Sequence, residues 1–162
     1  AIVLEDNTIR SNAGPGVAIE GALVVPVPRL RRNTIVQNGS HAMALSGSRG
    51  GIIEANQLRD NDGSAVRLND TRQLTILGNQ IADHDEGGIV LGVDGVGGGD
   101  LLVTGNLVER GGRSSVELSV DGPVTLADND VRDGSATGIS VVATADTAVQ
   151  LDRNRISRAG AG

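Results

Sequence analysis

The 162-residue chain has no Phe, Tyr or Trp, no Cys and no Lys, so all 14 of its basic residues are Arg. Missing aromatics argue against the usual globular core, where large rings fill space between elements meeting at varied angles. A core of Val, Ile, Leu and Ala alone suits an interior of constant, narrow cross-section built from like layers. Zero cysteines exclude a disulfide scaffold and fit either redox compartment. A formal charge of −6, a pI near 4.8 and no ring to stack on a base argue against nucleic acid as a partner. No apolar run approaches the roughly 20 residues of a membrane span. The chain opens at Ala1 rather than Met, which reads as a segment of a longer protein, with residues 1–162 forming a single domain.

What is present is a phrase: aliphatic, any, aliphatic, two polar or small residues, asparagine, any, aliphatic. It centres on Asn7, Asn33, Asn56, Asn79, Asn106, Asn129 and Asn154, at intervals of 26, 23, 23, 27, 23 and 25 residues. A period in this range marks a solenoid. Three residues before each Asn stand Leu4, Leu30, Ile53, Ile76, Val103, Leu126 and Leu151. Two residues after it stand Ile9, Ile35, Leu58, Ile81, Val108, Val131 and Ile156. A second apolar pair follows at a fixed offset: Val17/Ile19, Met43/Leu45, Val66/Leu68, Ile89/Leu91, Val116/Leu118 and Ile139/Val141. A small residue (Gly16, Ala42, Ala65, Gly88, Ser115 or Gly138) always precedes that pair. Alternation with period two means strand, so each repeat offers three short strands. Length varies only after the third, at Val24 to Pro28, Asp94 to Asp100 and Ala143 to Thr147, which read as loops on one edge of the stack.

A leucine-rich repeat shares the core phrase. Here the leucine expected eight residues before the Asn is replaced by Ser48, Thr71, Gly98 and Asp121. The convex helix of that repeat gives way to Gly-bounded alternating strands. The expected fold is therefore all-β, a right-handed parallel β-helix of about seven coils with three short strands per coil. Asn tolerates the left-handed backbone of a sharp corner, and stacked Asn amides can donate to one neighbour and accept from the other.

The pattern is similar to the right-handed β-helix repeat of the pectate-lyase-like superfamily, shared by polysaccharide lyases, mannuronan epimerases and NosD-type proteins. The resemblance covers the whole chain. It implies an inward ladder of the seven Asn at the corner between a second sheet, before each Asn, and a third, after it. Sheet one then holds Val17, Met43, Val66, Ile89, Val116 and Ile139. It also implies that catalysis, where present, uses the outer face of sheet one, and that Arg67 could serve as a base, as pectate lyases use Arg. The Asp-Pro-His-Glu motif of the mannuronan epimerases is absent.

Three features bear on function. A second series five residues after each anchor reads Asn12, Asn38, Asn61, His84, Gly111 and Gly134, which makes His84 a corner residue; His41 reads as a solvated loop residue. Asp60 and Asp62 fall one coil below Asp83, Asp85 and Glu86. Stacked carboxylates repel unless a cation compensates, which makes calcium the candidate cofactor; the alternative is a hydrated acidic corner balanced by Arg59 or Arg110. On the outer face of sheet one, Arg67, Asn69 and Glu117 are the candidate substrate-binding residues. That face is otherwise poor: glycoside hydrolysis needs two carboxylates about 5–10 Å apart, and no aromatic platform exists for a sugar ring. The leading expectation is a non-catalytic structural or binding module, extracellular or on the cell surface, with a polysaccharide or another protein as partner. The alternative is part of a lyase or epimerase whose catalytic residues lie outside this segment. Neither end carries a polar cap, so further coils or end-to-end stacking of copies is expected.

Overall fold

A computed structural model of the chain describes residues 2–21, 27–91, 100–143 and 146–158. The loops expected at Val24 to Pro28 and Asp94 to Asp100 fall largely outside these residues, as do residues 144–145 of the loop expected at Ala143 to Thr147, Gly92 and the tail from Ala159 to Gly162.

The described residues form twenty strands, numbered β1 to β20 in chain order, and every pairing is parallel. Sheet two stacks β1 (Val3–Glu5), β4 (Arg29–Arg31), β7 (Arg49–Glu54), β10 (Arg72–Leu77), β13 (Leu101–Thr104), β16 (Val124–Ala127) and β19 (Val149–Asp152). Sheet three stacks β2 (Thr8–Arg10), β5 (Thr34–Val36), β8 (Gln57–Arg59), β11 (Gln80–His84), β14 (Leu107–Gly111), β17 (Asp130–Arg132) and β20 (Arg155–Ser157). Sheet one stacks β3 (Val17–Glu20), β6 (Met43–Ser46), β9 (Val66–Asn69), β12 (Gly87–Leu91), β15 (Ser114–Val120) and β18 (Thr137–Ala143). The result is a right-handed parallel solenoid of six complete coils, with a seventh that contributes two strands.

The register joins equivalent positions. Leu30 pairs with Ile53, Ile53 with Ile76, Ile76 with Val103, and Val103 with Leu126. Each column is buried because the side chain above and the one below take the place of water. At the C-terminal edge no described coil covers the column, and Leu151 and Ile156 are 59% and 50% exposed.

The anchor asparagines form one continuous inward ladder. Each donates both its backbone N–H and its amide Nδ2 to the Oδ1 of the next, at 2.9–3.1 Å from Asn7 through to Asn154. The same Nδ2 also reaches a strand carbonyl of the coil before it, Leu30 for Asn56 and Ile53 for Asn79. One expectation is corrected here. The left-handed residue is not the Asn but the one before it: Asp6, Arg32, Ala55, Gly78, Gly105, Asp128 and Arg153, all at φ between 47° and 63°. The reversal falls one position early, so the Asn itself stays extended enough to aim its amide inward.

The next corner repeats the device. Ser11, Gln37, Asp60, Asp83, Arg110, Asp133 and Arg158 are left-handed, and the residues after Gln37, Asp60 and Asp83 are buried polar side chains, Asn38, Asn61 and His84. Asn12 donates to Asn38, and Asn38 to Asn61. The column then passes to His84, paired with Gly111. His84 is 2% exposed and neither ring nitrogen has a hydrogen-bond partner. The carbonyls of Leu58, Gly63 and Asn61 face the ring without meeting hydrogen-bond geometry. Burial, the largest influence, holds the ring's pKa below the usual histidine range, against the pull of those carbonyls and of Asp60.

Candidate functional site

On the outer face of sheet one the outward column runs Arg67, Val90, Glu117 across coils three to five. Beside it, at the corner entering the sheet, Arg113 lies one coil above Glu86, its N–H bonded to the Glu86 carbonyl at 3.0 Å. These residues, with Ser64 and Asp85, line a groove of about 340 Å³. Val90 forms its floor. Although it stands at an outward position, it is only 6% exposed, since the charged side chains on either side cover it.

His41 sits against the same corner, and its position corrects the solvated-loop expectation. Its own coil supplies no partner, but the next two do. Its Nδ1 accepts the backbone N–H of fully buried Ser64 at 2.9 Å, and Glu86 Oε2 lies 3.8 Å away. The same Glu86 oxygen accepts from Ser64 Oγ at 3.4 Å and stands 3.9 Å from Arg67 Nη1. Burial is the main reason His41's pKa lies below the usual range; Glu86 opposes this and Arg67 reinforces it. The hydrogen bond assigns the neutral ring its tautomer: Nδ1 accepts and Nε2 carries the proton. The column reading places His41 against Ser64, both eight residues after their anchors, but equivalence predicts stacking and not a ring nitrogen accepting a backbone N–H, and Glu86 enters from one position earlier two coils on. The signal that could have found it is Gly63, the one residue of that corner without a side chain. A Cβ there would lie 2.5 Å from His41 Nδ1.

The structure thus brings Arg67 and Glu117 together along one groove and adds Arg113, Ser64 and, beside it, His41. Asn69 ends β9 outside the lining, its Oδ1 buried without a partner. The acidic corner divides. Asp85 and Glu86 face the groove. Asp83 is held bidentately by Arg110, Nη2 to Oδ2 at 2.8 Å, and this hydrogen bond is the main reason its carboxyl lies below the usual range. Asp60 and Asp62 are exposed. Among the described residues no group of three His, Cys, Asp or Glu could hold a metal ion. Of the five carboxylates of the calcium expectation, Asp83 is thus taken up by Arg110 while Asp60 and Asp62 stand exposed and Asp85 and Glu86 line the groove.

Three parallel sheets and an internal asparagine ladder, with a groove across sheet one, define a β-helical solenoid. The chain belongs to the right-handed β-helix family, whose description, "Right handed beta helix region", matches residues 1–96. Among solved structures it is similar to the periplasmic alginate epimerase AlgG, with a TM-score of 0.75 and 13% identity over 95% of this chain and 39% of that one. A mutant of the same enzyme matches with a TM-score of 0.69 and the same identity and coverage. At that identity the likeness is one of fold, and the chain spans about two-fifths of the enzyme's length. No curated protein matches the chain. No helix of the described residues is long and apolar enough to cross a membrane.

Proposed function

We propose that the chain is a non-catalytic β-helix module that binds a polysaccharide along the sheet-one groove. Arg67 and Arg113 supply donors, and Asp85, Glu86 and Glu117 accept from sugar hydroxyls. The residues spread over three coils, about 10 Å at the usual strand spacing, which suits an extended chain laid along the solenoid axis. The resemblance to an alginate epimerase supports a carbohydrate as the ligand class.

One observation carries the non-catalytic part. The chain has two histidines. His84 is buried away from the groove, and the only lone pair of neutral His41 is already taken by the Ser64 N–H. Neither ring offers a base to a substrate, and Arg67 faces a carboxylate at 3.9 Å. The alternative, a fragment of a lyase or epimerase with its catalytic residues elsewhere, is favoured by one fact: the chain covers 39% of the similar enzyme.

Affinity electrophoresis in gels containing alginate, polygalacturonate or a neutral glucan tests the reading. Retardation that Arg67→Ala and Glu117→Ala both weaken is expected. In parallel incubations no unsaturated sugar ends are expected by ultraviolet absorbance and no change of uronate configuration by NMR. Turnover that disappears in Arg67→Ala would establish an enzyme and sink the non-catalytic reading.

A further inference from the structure

We propose that His41 is a pH-sensitive latch on the sheet-one groove. The neutral ring accepts the Ser64 N–H and leaves Glu86 with Arg67; the protonated ring drops Ser64, draws Glu86 to itself and exposes the arginine side to an acidic sugar. The inference rests on the groove being a polysaccharide site and names how that site is regulated.

A ring nitrogen that carries a proton cannot accept a hydrogen bond. Protonation at Nδ1 would set two N–H groups against each other at the present 2.9 Å separation. Ser64 is fully buried, so its amide cannot turn to water unless the corner moves. Turning the ring relieves that clash but leaves the buried Ser64 N–H without its acceptor, a cost that keeps the ring neutral until acid and the pull of Glu86 offset it. Gly63 leaves the room for that ring, since a Cβ there would lie 2.5 Å from Nδ1 and 2.9 Å from the His41 backbone N.

The nearest acceptor is Glu86. One oxygen of this half-exposed carboxylate is shared by His41 at 3.8 Å, Arg67 at 3.9 Å and Ser64 Oγ at 3.4 Å. A new positive charge on His41 decides which group holds it. Among the described residues the charged groups facing His41 are these two: Glu86 favours the protonated ring, Arg67 opposes it, and burial keeps the latch closed at neutral pH. The groove lining carries three carboxylates and two guanidiniums. Protonating His41 cancels that excess negative charge and withdraws Glu86 from Arg67. Both changes favour a uronic-acid polymer and leave a neutral glycan indifferent.

Calorimetric titration of the chain with uronic-acid oligomers and with a neutral glucan oligomer tests this between about pH 8 and about pH 5, where histidine titrates and sugar carboxylates stay ionised. Uronate affinity is expected to rise roughly tenfold toward acid, the coupling equivalent of one pKa unit, while the neutral oligomer shows no trend. His41→Asn, whose Oδ1 is an uncharged acceptor for the Ser64 N–H, should flatten the rise, and His84→Asn should keep it. Without ligand, the Ser64 amide resonance should titrate together with the His41 ring. A rise that persists in His41→Asn, or a Ser64 amide that stays still while His41 titrates, would overturn the latch. Failure of every oligomer to bind at either pH would instead overturn the groove as a polysaccharide site, and the Ser64 titration would then decide the latch alone.

Discussion

Removing one rung from the middle of the asparagine ladder separates a stacked column from a row of independent corners. Asn79 lies at the centre, with its Oδ1 accepting both the backbone N–H and the amide of Asn56, each at 2.9 Å. Its own amide donates to Ile53 O at 2.9 Å and to Asn106 Oδ1 at 2.9 Å. In Asn79→Ala the Asn106 oxygen keeps the backbone N–H of residue 79, and the Asn56 amide keeps the carbonyl of Leu30. Two groups lose out: the Asn56 N–H, fully buried, and the Ile53 carbonyl, which loses its side-chain donor. At about 1–3 kcal/mol for each buried group left unsatisfied, the loss is roughly 2–6 kcal/mol. For a chain of this size that corresponds to a fall in Tm of about 5–20 °C. Asn12→Ala, in the exposed first coil, gives up only the amide bond to Asn38, since the backbone N–H keeps its acceptor. Its loss should be that of an ordinary hydrogen bond, about 1 kcal/mol. Thermal and urea unfolding of both variants, followed by circular dichroism, gives the comparison. Equal and small losses would refute the claim that the ladder acts as one buried network. Asn79→Asp refines the result, because it keeps the acceptor for Asn56 while removing the donor to Ile53.

His84 makes the fold acid-sensitive. Its folded pKa is depressed, so its contribution to stability is complete above the unfolded value of about 6.5 and declines as pH falls below it. His84→Asn restores the residue type of the column below it and should abolish that part of the decline in a pH series of unfolding midpoints; an unchanged acid limb would show that the ring titrates freely. Calcium at about 1 mM is expected to leave Tm unchanged, because a cation stabilises only a native state that gathers ligands for it. A rise in Tm that Asp62→Asn removes would show that the acidic corner converges after all.

The fold was legible because every coil repeats the same few decisions. The position three before each Asn, the position two after it and the pair at ten and twelve all became columns in the register that the spacing implies, buried in the coils between the two ends. Local backbone was less legible. Asp, Arg, Ala and Gly alternate at the left-handed position, so composition pointed to the neighbouring invariant Asn, which the corner needs for its amide rather than for its φ. The groove was half legible. Arg67 and Glu117 share a column, and periodicity finds columns. His41 and Ser64 do share a column, but periodicity gives no reason for a ring nitrogen to accept a backbone N–H, and Glu86 reaches them from one position earlier two coils on, where Gly63 leaves space for the ring. Asp83 illustrates the remaining gap: stacking places it above Asp60, but the side chain turns the other way, to Arg110 in the next coil.

The ladder also has a direction. Every Asn presents a carboxamide oxygen to the coil before it and amide hydrogens to the coil after it, so each layer offers its neighbours the same two faces. A duplicated or deleted segment therefore heals if it begins and ends at equivalent points of the repeat, whatever its loop length, because the seam is chemically identical to every other seam. An insertion of one residue between an Asn and its sheet-one pair has no such refuge, since it turns the apolar side chains outward from that point on. Gene rearrangements that copy whole coils should thus be tolerated readily, across the 23- to 27-residue range of spacing that the anchors already show. The molecule's length is in this sense an adjustable quantity, while the cross-section that carries the groove is held fixed.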